Sequence, residues 1–145
     1  MSTRTGYATW EGALKDGAGK MKLGSGAFEG AYSFASRFEN GPGTNPEELI
    51  GAAEAGCFSM ALSLGLSKAG YSPQRISTTA KVHIEKVGDG FKITSIDLST
   101  EAQVPGIDEP TFVREAEATK KHCPVSQALA GTEINLQAKL VHSAP

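Results

Sequence analysis

A long apolar segment near the middle of the chain restricts the possible folds most. It follows a strong helix start, in which Asn45 can cap the helix, Pro46 suits the first helical position, and two glutamates fall in the first turn. We predict a helix that runs to about Lys68 and stops before Gly70. Its apolar residues go most of the way round, so the helix should be buried on nearly all sides, by sheet or by sheet and a second subunit.

This segment is almost long enough to span a membrane. Residues 49–66, however, contain Glu54, three glycines and two serines, so we do not expect a membrane span. The first residues of the chain lack the apolar core of a signal peptide. We therefore expect a cytoplasmic protein with no membrane partner.

The segments on either side of the helix alternate as strands do. Before it, glycine-rich turns separate candidate strands at residues 7–11, 20–23 and 32–38. After it, we predict a hairpin turning at 88–90 with a bulge between Ile93 and Ile96, a helix over 109–121, a short helix after Pro124, and a strand over 133–141. This order predicts an α+β fold with at least one antiparallel sheet, in a single domain over 1–145.

Charge and histidine spacing exclude two classes of function. The net charge of −2 gives no basic surface for phosphates, so no nucleic-acid partner is expected. The three histidines are scattered and share no metal-ligand spacing, so neither zinc nor another metal is expected.

The two cysteines are the candidate reactive groups. Cys123 follows two lysines and His122 at a predicted helix start, which is the setting that favours a thiolate. Cys57 lies inside the apolar helix, where burial would raise its pKa unless a cation compensates. The candidate cation is Arg37, which besides Arg4 is the only arginine in the first half of the chain. On the residues alone, the thiols could form a redox couple or be inert parts of the core.

Several segments resemble the OsmC/Ohr family, that is, osmotically inducible protein C and the organic hydroperoxide resistance proteins. They are residues 37–39, 43–53, 56–62, 104–108 and 123–127. The likeness extends from about Tyr7 to Leu140, and the Val-Ser-Gln sequence after Cys123 is similar to the OsmC branch. One departure is Gly56, where alanine is common in the family.

This resemblance implies an OsmC-like fold, with a long buried central helix against antiparallel sheet, in an intertwined homodimer. It implies a thiol peroxidase in oxidative-stress defence that reduces organic hydroperoxides, with hydrogen peroxide as a further candidate substrate. Cys57 would attack, Cys123 would resolve, and Arg37 with Glu47 would organise the thiols. The other partner would be a thiol or dithiol reductant, and no cofactor is implied.

Helix geometry adds a prediction about assembly. Glu47 and Cys57 are ten residues apart, or about 15 Å along one straight helix, too far for direct contact. If Glu47 serves the Cys57 site, either the helix is broken between them or Glu47 comes from a second copy of the chain. The nearly all-round apolar surface of the helix favours the second copy, so we predict an obligate homodimer in which Arg37 and Glu47 serve the thiols of the other subunit. Two alternatives remain open: a thiol–disulfide oxidoreductase, although the chain lacks the usual Cys-x-x-Cys spacing, and a non-catalytic dimer that binds a small apolar ligand and has inert thiols.

Overall fold

The computed structural model describes residues 1–142. The elements in chain order are β1 (Gly6–Glu11), β2 (Ala18–Leu23), β3 (Glu29–Tyr32), α1 (Phe34–Phe38), α2 (Pro46–Lys68), β4 (Arg75–Val87), β5 (Gly90–Gln103), α3 (Glu109–His122), α4 (Pro124–Ala128) and β6 (Glu133–Leu140). The predicted α+β class is confirmed. The chain divides into two compact units, Met1–Leu49 and the part from Ile50 onward. The single domain expected over 1–145 stays a prediction.

The first unit contains a three-stranded antiparallel sheet in the order β1-β2-β3. Trp10 and Tyr32 lie on either side of Gly19, with ring centroids 5.3 Å apart. A Cβ atom at position 19 would lie only 2.5 Å from the ring of Tyr32. The glycine is therefore required for this close aromatic contact.

The strand predicted over 32–38 is wrong beyond Tyr32, because a helix begins there. The Ser33 hydroxyl accepts a hydrogen bond from the Ser36 backbone N–H, and the Ser36 hydroxyl accepts one from the Ser33 N–H, at 3.1 and 2.8 Å. This reciprocal capping box starts α1. Two satisfied backbone donors outweigh the alternation of bulky and small side chains, and Arg37 consequently lies in the last turn of a helix.

Helix α2 begins and ends as predicted. The side-chain oxygen of Asn45 accepts from the Glu48 N–H at 2.8 Å. Beyond Lys68, Gly70 adopts a φ of 95°, and the Tyr71 N–H donates to the Leu66 carbonyl, which closes the last turn.

The burial of α2 is less uniform than predicted. One stripe is fully buried: Glu54, Phe58, Leu62 and Leu66, each four residues from the next. On another face, Met60 and Leu64 are 80 % and 56 % exposed. Among the described residues, α2 is the one helix that by length and composition alone could cross a membrane. A single chain thus leaves part of the apolar surface of α2 uncovered.

The second unit contains the sheet β4-β5-β6. The hairpin β4–β5 is antiparallel, and its register shifts where His83 pairs with Ser95 and Ile84 with Ile93. Thr94 is the extra residue, so the predicted bulge is confirmed. Strand β6 pairs with β5 in parallel, which makes this sheet mixed.

The core of the second unit joins α2, β5 and α3. It is formed by buried side chains that include Phe58, Leu62 and Leu66 of α2, Ile96 and Leu98 of β5, and Phe112 and Ala116 of α3. Because α2 and α3 share this core, it fixes the positions of two residues: Cys57, directly before the buried Phe58 in α2, and Cys123, at the end of α3.

Candidate active site

The structure brings the two cysteines into direct contact. Cys57 lies on α2, and Cys123 is the residue at which α3 ends and α4 begins. The Cys123 Sγ lies 2.7 Å from the Cys57 Sγ, and both thiols are free. Cys123 is fully buried, whereas Cys57 is partly exposed. A bond between sulfurs needs about 2.05 Å, so only a small shift separates this pair from a disulfide.

The surroundings of Cys57 disfavour its thiolate. Burial raises the pKa of Cys57, and the hydrogen bond with the Cys123 thiol raises it further. The backbone N–H of Val125 acts in the opposite direction, and the negative charge of Glu54 adds a smaller increase. An additional positive charge is therefore needed if Cys57 is to react as a thiolate near neutral pH.

A buried carboxyl group lies one helical turn from Cys57. Glu54 is 0 % exposed, and its Oε1 accepts a hydrogen bond of 2.5 Å from the hydroxyl of Ser126, which is three residues after Cys123. Its Oε2 has no hydrogen-bond partner among residues 1–142. Sequence reasoning used Glu54 only as an argument against a membrane span and missed this contact. The three-residue spacing of each partner from a cysteine was the available signal.

The second candidate pair, Arg37 and Glu47, also meets. The Arg37 Nε and Nη2 both lie 2.8 Å from the Glu47 Oε1. Glu47 is 5 % exposed, and its Oε2 is unpartnered within the described part of the chain. The guanidinium also lies 5.2 Å from the centre of the Phe38 ring. Capping at Ser33 and at Asn45 places these two side chains, since it starts the helices that carry them.

Arg37 also lines a small aromatic cavity of about 250 Å³ in the first unit. The other lining residues are Trp10, Leu14, Tyr32, Ser33, Phe34 and Phe38. This cavity was not predicted, because it depends on α1, and the residues of α1 were predicted as a strand. Residues 1–142 contain no cluster of three or more His, Cys, Asp or Glu side chains that could hold a metal ion.

A family model described as OsmC-like protein matches residues 39–139. The chain belongs to the OsmC family. Its sequence is 51 % identical over 138 residues to Peroxiredoxin OsmC of Escherichia coli strain K12, covering 94 % of this chain and 96 % of the relative. It is 30 % identical over 92 residues to the organic hydroperoxide resistance protein of Xanthomonas axonopodis pv. citri, covering 63 % of each. The family resemblance predicted from the motifs is confirmed.

The fold of this OsmC-family chain matches solved structures. The crystal structure of the OsmC-like protein from Mycoplasma pneumoniae aligns with a TM-score of 0.76 and 17 % identity, over 97 % of this chain and 99 % of that one. The predicted OsmC-like fold is thereby confirmed. The four candidate residues form two pairs, each within one compact unit, and their chemical roles stay predictions.

Proposed function

We propose that this OsmC-family protein is a thiol peroxidase that reduces organic hydroperoxides, with Cys57 as the attacking thiol and Cys123 as the resolving thiol. The 2.7 Å contact between the two free thiols is the observation that carries the proposal. The name of the E. coli relative, Peroxiredoxin OsmC, and that of the Xanthomonas organic hydroperoxide resistance protein support it.

The reaction consists of two steps and a recovery. The Cys57 thiolate attacks the terminal oxygen of the hydroperoxide; an S–O bond forms, the O–O bond breaks, and the alkoxide takes a proton to become an alcohol. The Cys123 thiol then displaces the hydroxyl of the sulfenic acid as water and forms the disulfide. A thiol or dithiol reductant reopens the disulfide, in keeping with a cytoplasmic location.

The partial exposure of Cys57 and the complete burial of Cys123 favour this order. A hydroperoxide from solvent can reach the partly exposed Cys57, whereas Cys123 is fully buried and contacts the Cys57 sulfur. This reverses the preference that the lysines and helix start near Cys123 would give. The exposure of the sulfur outweighs that preference, because the first reaction is with a molecule from solution.

Arg37 supplies the positive charge that Cys57 needs. Its guanidinium has five N–H donors, so it can bind the Glu47 carboxylate and still hold peroxide oxygens and the developing alkoxide. Glu47 fixes the orientation of the planar guanidinium, since the Arg37 Nε and Nη2 both contact its buried Oε1. The aromatic cavity that Arg37 lines would bind the organic part of the hydroperoxide.

The protein acts as an obligate homodimer in which Arg37 and Glu47 of one subunit serve the thiols of the other. The ten-residue spacing of Glu47 and Cys57 on one helix supports this arrangement, as does the exposed apolar surface at Met60 and Leu64. Two α2 helices packed about a two-fold axis would cover that surface.

Subunit exchange tests the shared site. Mixing the inactive Cys57→Ser and Arg37→Ala proteins should restore one working site per heterodimer, giving roughly a quarter of wild-type activity after statistical exchange. No recovery after exchange has been verified would place all four residues in one chain.

Peroxide consumption tests the activity itself. Wild-type protein with a dithiol should turn over cumene hydroperoxide, and hydrogen peroxide run in parallel defines the preference. Cys57→Ser should abolish turnover with both peroxides. Unchanged consumption in Cys57→Ser would refute Cys57 as the attacking thiol. No consumption by the wild type would instead favour the non-catalytic dimer with inert thiols.

A further inference from the structure

Two helical turns meet residue by residue at the thiols. On α2, Glu54 precedes Cys57 by three residues, and Ser126 follows Cys123 by three residues at the start of α4. Cys57 contacts Cys123, and Glu54 contacts Ser126, so the two turns run in opposite directions with two contacts in register. The polar contact therefore lies one turn away from the sulfur contact on both helices.

Helix α4 depends on such contacts for its position. It has five residues, and its N-cap, Cys123, makes no side-chain capping bond. An isolated helix of this length is not stable, so tertiary contacts must hold it. Ser126 is its buried polar side chain, and its hydroxyl donates a hydrogen bond to the fully buried Glu54 Oε1.

We propose that Glu54 is a positioning residue for the second step of the reaction: through Ser126 it holds Cys123 against Cys57, so that the sulfenic acid forms the disulfide before a second peroxide can oxidise it. This inference rests on the proposed peroxidase function. In the positioned step the Cys123 sulfur bonds to the Cys57 sulfur, the S–O bond of the sulfenic acid breaks, and the hydroxyl leaves with the thiol proton as water. In the competing step, a second hydroperoxide converts the sulfenic acid to sulfinic acid and is itself reduced to an alcohol.

Glu54 has the opposite influence on the first step. Its negative charge adds to the effects that raise the pKa of Cys57 and so disfavours the attacking thiolate. A change at Glu54 should therefore separate the two steps, making the attack faster and the resolution slower. General damage to the site would slow both.

The test measures how the sulfenic acid at Cys57 divides between disulfide formation and further oxidation to sulfinic acid. Wild-type, Ser126→Ala and Ser126→Thr proteins are each given increasing cumene hydroperoxide with a dithiol, and mass spectrometry measures the sulfinic acid formed at Cys57 per turnover. Losing a bond to a buried carboxylate should slow resolution about tenfold and raise sulfinic acid per turnover by about the same factor. Ser126→Thr, which keeps the hydroxyl, should restore the wild-type ratio. The exposed Ser67→Ala is the matched control and should match the wild type.

Glu54→Gln is a second test variant. The glutamine keeps the side-chain volume and an acceptor oxygen but removes the negative charge. Single-turnover kinetics should show a faster loss of peroxide below the pH midpoint of the wild-type reaction, together with slower disulfide formation. The variant also decides the question if Ser126→Ala does not fold. The inference would be overturned if both Ser126→Ala and Glu54→Gln form as much sulfinic acid per turnover as the wild type. If Ser126→Ala does not fold, the same result in Glu54→Gln alone would overturn it. Either result would leave the peroxidase function intact. A wild-type protein that consumes no peroxide would instead refute the proposed function.

Discussion

The Arg37–Glu47 pair and the Cys57–Cys123 pair are assembled in different ways. Arg37 and Glu47 are 10 residues apart in sequence, and two local helix caps place them. The cysteines are 66 residues apart, and the shared core of α2, β5 and α3 brings them together. The charged pair thus depends on short-range signals, whereas the thiol pair depends on the packing of its whole unit.

A buried carboxyl group with one hydrogen-bonded oxygen belongs to the charged pair, and another lies one helical turn from Cys57. Glu47 and Glu54 both bind through Oε1, and in both the Oε2 lacks a partner among the residues that the structure describes. Glu47 binds a guanidinium, which its charge orients, whereas Glu54 binds a neutral hydroxyl. Glu47 thus orients the guanidinium of Arg37, whereas Glu54 contacts a side chain of α4.

The thiol contact should be the more sensitive of the two to damage in the core. Phe58→Ala removes a fully buried ring beside Cys57 and should lower the free energy of unfolding by about 3–5 kcal/mol. Denaturant unfolding of reduced protein measures this. The exposed Val87→Ala is the control and should change stability by less than about 0.5 kcal/mol. Equal effects of the two substitutions would show that the Phe58 ring does not stabilise the core beside Cys57.

Removing the cation should affect the chemistry more than the fold. Arg37→Ala should lower kcat/KM for cumene hydroperoxide by about 10²–10³-fold, because the thiolate and the alkoxide lose their stabilising charge. The pH midpoint of peroxide consumption in a single turnover should also move upward, since burial then raises the pKa of Cys57 unopposed by this cation. Arg37→Lys should not restore full activity, because an ammonium lacks the planar fork. An unchanged pH midpoint in Arg37→Ala would separate Arg37 from the thiols.

Neutralising the partner of Arg37 should have a smaller effect. Glu47→Gln keeps an acceptor oxygen but turns a charge-assisted contact into a neutral one, so kcat/KM should fall by about tenfold. Steady-state kinetics with cumene hydroperoxide measure the fall. A loss as large as that of Arg37→Ala would mean that Glu47 acts on the substrate itself.

The smallest expected effect is on the local cap. Ser33→Ala removes one half of the capping box of α1 and should cost about 1 kcal/mol in the free energy of unfolding, while Ser33→Thr should keep most of it. Thermal unfolding and kcat/KM, measured together, show whether the cap positions Arg37. If the cap can be lost with no change in either quantity, the local assembly of the charged pair is contradicted.

These differences explain which parts of the fold could be predicted. Asn45 and Pro46 mark the start of α2 through short-range chemistry, and the phase change between Ile93 and Ile96 marks the bulge. The residues around Arg37 were wrongly predicted as a strand. Bulky and small side chains alternate there as they do in strands, but the same residues contain the serine capping box that starts a helix. The parallel pairing of β6 could not be predicted, since alternation is the same in parallel and antiparallel strands.

The candidate site was predictable only in part. All four proposed residues came from the family motifs, while local reasoning alone preferred Cys123 as the nucleophile and left Arg37 unpaired. The contact between Glu54 and Ser126 joins residues 72 positions apart. Each partner lies three residues from a cysteine, but that spacing alone does not specify that the two helical turns meet.

Trapping the sulfenic acid identifies which of the two sulfurs reacts first with the peroxide. Reduced wild-type protein is mixed with less than one equivalent of cumene hydroperoxide, quenched at increasing times with a sulfenic-acid trap and a thiol-alkylating reagent, and mapped by peptide mass spectrometry. We predict that the trap labels Cys57 first and that the label gives way to a Cys57–Cys123 disulfide. Initial labelling of Cys123, with Cys57 still alkylated as a thiol, would contradict the account.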